Sequence, residues 1–209
     1  PSIFARLLDS EGGSFSIRDD EADIDARYVE ETAIVEHTFK RKSSQFIVRD
    51  FMVPHQQDLC DNHYLVRKII GKDNSATVSF YFDPRPDYAR EDVDMKMGRD
   101  IMSSVFGDGE IRLNLPPGAR VKKQEKGYII DITVDEGQEK EIILELDMKK
   151  SRCDLGDDLE SRTKRFWKEW LKQGEFIGFC RKQMVRSAIT LKLMQYYPTG
   201  AIIAAPTTS

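Results

Sequence analysis

Cysteine is scarce in this sequence. Only Cys60, Cys153 and Cys180 occur among 209 residues, widely spaced and with no C-x-x-C pair. That odd, scattered set argues against a disulfide scaffold and suits a reducing, cytoplasmic setting. A surplus of one charge is also missing: 36 acids stand against 32 lysines and arginines, a formal net charge of -4. A nucleic-acid binder would normally carry a basic domain or stripe, so no nucleic-acid partner is expected. The clusters Lys40-Arg41-Lys42 and Lys149-Lys150 are short and read as solvated turn or edge residues. No long apolar run is present. The longest, Ala201 to Ala205, falls far below the roughly 20 residues of a membrane-spanning helix, so no membrane partner is expected. Neither a G-x-x-x-x-G-K-[ST] phosphate loop nor a G-x-S-x-G nucleophile elbow occurs, and Glu11-Gly12-Gly13-Ser14 reads as a turn. An initiating methionine is lacking too. The chain opens on Pro1 and closes just after an apolar run that asks for burial, so both ends read as cuts in a longer protein.

What is present describes a folded protein of one or two domains: 40% of residues are hydrophobic and 33% charged. From Ala33 to about Leu146 the pattern is that of strands. Ala33 to Arg41 and Gln45 to Met52 flank Lys42-Ser43-Ser44 as a hairpin. Tyr64 to Ile70 follows, and Gly71-Lys72-Asp73-Asn74 reads as a turn. Val78, Phe80 and Phe82 then alternate with Thr77, Ser79 and Tyr81. Gly107-Asp108-Gly109 leads into Ile111, Leu113 and Leu115. Lys126-Gly127 precedes Ile130, Ile132 and Val134, and Asp135-Glu136-Gly137 precedes Ile142, Leu144 and Leu146. Short alternating strands separated by Gly, Asp and Asn turns predict an antiparallel sandwich or barrel. No internal repeat or low-complexity tract is visible.

After Asp147 the period changes. MKKSRCDLGDD, with Gly156, reads as a linker. Leu159 to Lys172 sets Phe166, Trp167, Trp170 and Leu171 on one broad helical face, and Gly174 can end that helix. A second helix, Arg181 to Gln195, carries Met184, Val185, Ala188, Ile189, Leu191 and Met194 on an arc wide enough to expect neighbours on several sides. Pro198 and Gly200 stop it.

The local chemistry is thin. His55, Cys60 and His63 form H-x4-C-x2-H, but a structural zinc site needs four ligands and no fourth is near, so no metal site is assigned. Asp19-Asp20-Glu21 and Asp157-Asp158 read as solvated acids, because a catalytic carboxyl pair needs opposed positions across a pocket. Phe166-Trp167-Lys168-Glu169-Trp170 could stack on sugar rings, although helical spacing favours packing between elements. Pro84 to Arg90, PRPDYAR, is a stiffened loop that serves equally as a site rim or as a stapled connection.

Longer stretches carry a resemblance. Thr163 to Leu171 (TKRFWKEWL), Val185 to Leu193 (VRSAITLKL) and Tyr197 to Ser209 (YPTGAIIAAPTTS) resemble family-15 glycoside hydrolases, the glucoamylase-like enzymes that include microbial trehalases and glucodextranases. Pro1 to Leu8, Asp50-Phe51-Met52 and Pro84 to Tyr88 are similar to segments of the trehalase-like N-terminal domain of that family. The resemblance implies a mainly β chain: an antiparallel β-supersandwich over 1–147, a helical linker over 148–180, and over 181–209 the first helix of a truncated (α/α)6 catalytic barrel. It implies an inverting hydrolase of α-glucosides, trehalose or α-linked glucans, needing no cofactor. The general acid and general base would be glutamates beyond Ser209, so catalytic residues are none here, substrate-binding residues are unknown, and this piece alone should be inactive. The α-glucoside would be met through the missing barrel, and a homo-oligomer is left open. The other reading of the residues is a stand-alone β module that binds carbohydrate or docks on a protein.

Overall fold

The structure, a computed structural model, describes residues 3–54, 63–91, 93–107, 109–147, 158–196 and 199–204. Two antiparallel sheets face each other. The smaller has the order β1-β6-β11-β10, built from Ser14–Arg18 (β1), Ala76–Asp83 (β6), Tyr128–Val134 (β11) and Arg120–Lys123 (β10). The larger joins Asp23–Tyr28 (β2), Val35–Lys40 (β3), Gln45–Met52 (β4) and His63–Asp73 (β5) to Glu139–Asp147 (β12). It continues through Gly109–Asn114 (β9) and Ile101–Phe106 (β8) to Lys96–Met97 (β7). The chain changes sheet between β1 and β2, β5 and β6, β6 and β7, β9 and β10, and β11 and β12. The turns at Asn74 and Gly137 therefore join layers instead of closing hairpins. The sequence reading left sandwich and barrel open, and two separate sheets make it a sandwich.

Alternation explains the core. Phe80 and Phe82 of β6, Ile130 and Ile132 of β11, and Phe15 of β1 point inward from the small sheet. Phe46 and Val48 of β4, Ile69 of β5, and Ile142 and Leu144 of β12 meet them from the large one. Phe15 packs edge-on against Phe82 at 5.2 Å, and Phe39 stacks on Phe46 across β3 and β4 at 4.7 Å. Each fully buried large side chain of this kind contributes roughly 1.5–3 kcal/mol.

Several expectations change. β1, β2, β7, β8 and β10 are strands that the sequence pattern does not single out. β2 is exposed along its whole length even though DIDARY alternates, with Ile24, Ala26 and Tyr28 set against Asp23, Asp25 and Arg27. Gly71 sits inside β5, not in a turn. The clusters at Asp19 and Arg41 are not both solvated. The Asp19 carboxylate is nearly buried, Arg41 lies 2.8 Å from it, and the Arg41 guanidinium rests 4.9 Å above the Phe46 ring. In PRPDYAR, Arg85 folds back onto Asp83 at 3.0 Å, so of the two arginines Arg90 is the exposed one. Within that stretch Pro86–Ala89 (α1) is a single irregular turn in which Asp87, Tyr88 and Ala89 take φ of 50°, 56° and 63°. Residues 201–204, read as a run that asks for burial by a part of the protein beyond Ser209, are exposed in this chain and fold back so that Ile202 bridges to Gln195. His55, Cys60, Lys149, Lys150, Cys153, Asp157 and Pro198 lie outside the described residues.

Candidate functional site

The densest polar arrangement lies on the outer face of the large sheet, where two helices, Leu159–Leu171 (α2) and Arg181–Leu193 (α3), meet it. Register lines up one charged residue from each of five neighbouring strands. Arg27 of β2 faces Glu36 of β3, which faces Arg49 of β4, then Lys68 of β5, then Glu141 of β12. Glu36 is 2% exposed and is held by Arg27 at 2.6 Å and Arg49 at 2.7 Å. Arg49 and Lys68 are adjacent cations that would repel. Glu160, in the first turn of α2, lies over both: 2.6 Å from Arg49, 3.3 Å from Lys68 and 2.5 Å from its own helix neighbour Lys164. Helix and sheet are thus joined by charges of opposite sign in an alternating array.

Electrostatics follow from that geometry. Burial pushes the Glu36 carboxyl up, but hydrogen bonds from Arg27 and Arg49 outweigh it and hold the group below the usual carboxylate range. Burial opposes Glu160 in the same way. The hydrogen bond from Lys164 and the charges of Arg49, Lys164 and Lys68 bring it lower. Glu141 goes the other way, raised by burial and by neighbouring acids against the pull of Lys68. Glu36 and Glu160 are therefore ionised, with their oxygens taken by cations. A general acid must hold a proton to give, so neither can play that part. The array is an anchor.

Beside it lies an apolar seat. Asp158 caps α2, its carboxylate accepting from the Ser161 amide at 3.1 Å. Leu159 enters a small cluster with Ile34, Phe51 and Val66. One turn after another, Thr163, Trp167 and Leu171 are buried. Trp167 and Leu171 join Val185 and Ile189 of α3 in a third cluster, with Phe166 and Trp170 partly buried at its border. The Trp167 ring meets Phe166 and Trp170 edge-on, at 5.2 Å and 5.8 Å. Packing is thus the role of Trp167, whereas Trp170 keeps part of its surface open. α3 is fastened at its other side: the Arg186 guanidinium lies 3.8 Å over the Tyr28 ring and donates to the Thr32 carbonyl, and Arg181 pairs with Glu31 at 2.5 Å. Only Val185 and Ile189 of the expected α3 arc are buried; Met184 and Leu191 face outward, as does the helix-end residue Leu193.

Two open grooves flank α2. One, of about 340 Å³, is lined by Arg162, Arg165, Phe166, Glu169, Trp170 and Gln173. The other, of about 450 Å³, lies between α2 and the β2–β3 connection, along Glu30, Glu31, Lys164 and Lys168. A further charged group sits between the sheets. Arg67 and Asp50 are 3.2 Å apart, His37 is 4.0 Å from Asp50, and the Arg67 guanidinium covers the Phe15 ring at 4.1 Å. Burial pushes the Asp50 carboxyl up, against the attraction of Arg67 and His37.

The sequence reading found the aromatic face of α2 and missed every member of the ionic row. His63, the described member of H-x4-C-x2-H, opens β5 and is exposed. Among the described residues no group of three or more His, Cys, Asp and Glu is arranged to hold a metal ion. No helix among them is long and apolar enough to cross a membrane.

Residues 1–170 match the family described as trehalase-like, N-terminal. Along its whole length the chain also aligns with trehalases. That of Mycolicibacterium smegmatis is 25% identical over 237 residues, and 35% of it is covered. That of Mycobacterium tuberculosis is 25% identical over 241 residues, with 35% covered. That of Thermoplasma acidophilum is 24% identical over 218 residues, with 37% covered. The chain spans about a third of the length of these relatives. The matched stretch takes in both sheets and all but the last residue of the helix that Glu160 anchors. The chain belongs to the trehalase-like N-terminal domain family.

Proposed function

We propose that this chain is the non-catalytic front part of an α-glucoside hydrolase of family-15 type, acting on trehalose or α-linked glucans, and that it seats the catalytic domain. The single observation behind this reading is the match of all 209 residues to trehalases that are about three times as long. The site geometry supports the division of labour. The buried carboxylates Glu36 and Glu160 are consumed by ion pairs, and α3, as the first helix of an (α/α)6 barrel begun over 181–209, presents apolar residues that the other barrel helices would cover. In the longer protein an inverting pair would work across the sugar, a carboxylic acid protonating the leaving oxygen and a carboxylate activating water on the opposite face. Such groups stand about 6.5–9.5 Å apart. A cytoplasmic setting is part of the proposal, supported by the few cysteines and by Cys180, a free and exposed thiol.

The experiment is glucose release from trehalose and maltotriose. The 209-residue chain should release none, whereas a protein of trehalase length that carries this chain at its front should release glucose. Glucose released by the short chain alone would overturn the reading.

A further inference from the structure

From the groove on α2 we infer a saccharide-binding site, separate from any catalytic pocket, that takes a pair of neutral α-linked glucosyl units. Phe166 and Trp170 are one helical turn apart and line the same depression, each only partly buried. Two aromatic rings one turn apart offer the apolar surface that the C–H faces of pyranoses need. Around them stand Arg162, Arg165, Glu169 and Gln173. These supply donors and acceptors of both kinds, suited to neighbouring hydroxyls. The rim holds two guanidiniums, a neutral amide and the Glu169 carboxylate, which also pairs with Lys172 at 2.7 Å, a mixed set that can meet several hydroxyls. The groove volume of about 340 Å³ lies at the small end of the roughly 300–1,000 Å³ common for small-molecule sites.

The rest of α2 holds the platform still. Trp167 is 3% exposed and braces Trp170 edge-on, and Glu160 ties the helix to the sheet below. A groove this open gives weak binding, with a dissociation constant on the order of 1 mM. The choice of α-glucosyl units rests on the proposed function; the aromatic floor and mixed rim would suit any neutral pyranose pair.

Both tryptophans of the chain are on α2, so tryptophan emission, excited where tyrosine does not absorb, reports this helix alone. Titration of the 209-residue chain with maltotriose should shift its emission, with a saturable curve, while sorbitol at equal concentration should not. Trp167→Phe should keep the response. Trp170→Ala, followed by calorimetry, should weaken binding about tenfold or more. Glu169→Ala removes an exposed side chain, leaves the packing intact, and should weaken binding several-fold with an unchanged melting curve. No response up to the solubility limit of maltotriose would overturn the site, as would undiminished binding by both Trp170→Ala and Glu169→Ala. A response to sorbitol equal to that of maltotriose, or loss of the response on dilution in step with dissociation of a dimer, would overturn it as well. If binding holds while the longer protein hydrolyses no α-glucoside, the groove stands and the proposed function falls.

Discussion

At the scale of single residues, Glu160 is the point where helix and sheet become one body. Its carboxylate separates two cations that the sheet places side by side and also holds Lys164. Removing one partner of a buried ion pair leaves its neighbours uncompensated. Glu160→Gln should therefore cost about 3 kcal/mol, the low end of the usual range because Arg49 keeps Glu36 and Lys68 keeps Glu139. Urea unfolding followed by tryptophan emission measures it. The pH dependence has a definite sign. The folded carboxyl is held below its ordinary value of 4.5, so the gain is complete above that pH and disappears as acid takes the protein down through the lowered value. The stability gap between wild type and Glu160→Gln should be flat near neutrality and close below about pH 4.5. A gap that persists unchanged in acid would show that shape, not charge, makes the joint. None of this row was legible beforehand. Arg49, Lys68 and Glu36 look like ordinary outward positions of half-buried strands, and only register reveals that they are neighbours. Asp50 and Arg67 did leave a signal: they occupy inward parity in QFIVRDFM and HYLVRKII, where apolar residues belong.

At the scale of elements, alternation made β4, β6, β9, β11 and β12 readable, because each buries one face against the opposite sheet. β2 and β10 lie at sheet edges with little to bury: β10 has one apolar residue, and the alternation of β2 is carried by only Ile24, Ala26 and Tyr28, all exposed. Glycine shows a second limit. Gly71 and Gly107 look alike in sequence, each a turn signal after a strand, but their reasons differ. Gly107 has φ of +47° and open space beside it. Gly71 lies within β5 where the β11–β12 turn presses on it; a Cβ there would stand 2.1 Å from the Asp135 carbonyl oxygen. The Gly71 amide donates to the Gln138 carbonyl, and the Gly71 carbonyl accepts from Gly137. No side chain can be admitted without moving that backbone. Gly71→Ala should then cost about 3 kcal/mol and Gly107→Ala about 1 kcal/mol, compared by thermal melting. Equal losses would mean that the β11–β12 turn yields freely.

At the scale of the whole molecule, stability is unevenly shared. The two sheets bury a continuous core with many fully enclosed side chains, whereas α3 has 13 residues and buries Val185 and Ile189 alone. An isolated helix of that length is marginal in water, so α3 depends on what it touches. Its known attachments are those two side chains, the Arg186 contact with Tyr28 and Thr32, and the Arg181–Glu31 pair. Ile177 and Phe179 just before it are exposed, as are Met184, Leu191 and Leu193 along it. In the 209-residue chain the α3 amides should exchange with solvent through local opening, at far lower free energy than those of β5 or β12, which approach the global value. In a protein of trehalase length the same amides should be protected by orders of magnitude more, because each kcal/mol of added burial slows exchange through opening by about fivefold. Hydrogen exchange on both proteins gives the comparison directly, peptide by peptide. If α3 is as protected in the short chain as in the long one, its outward apolar residues gain no cover there, and the proposal that α3 is the first helix of a catalytic barrel fails.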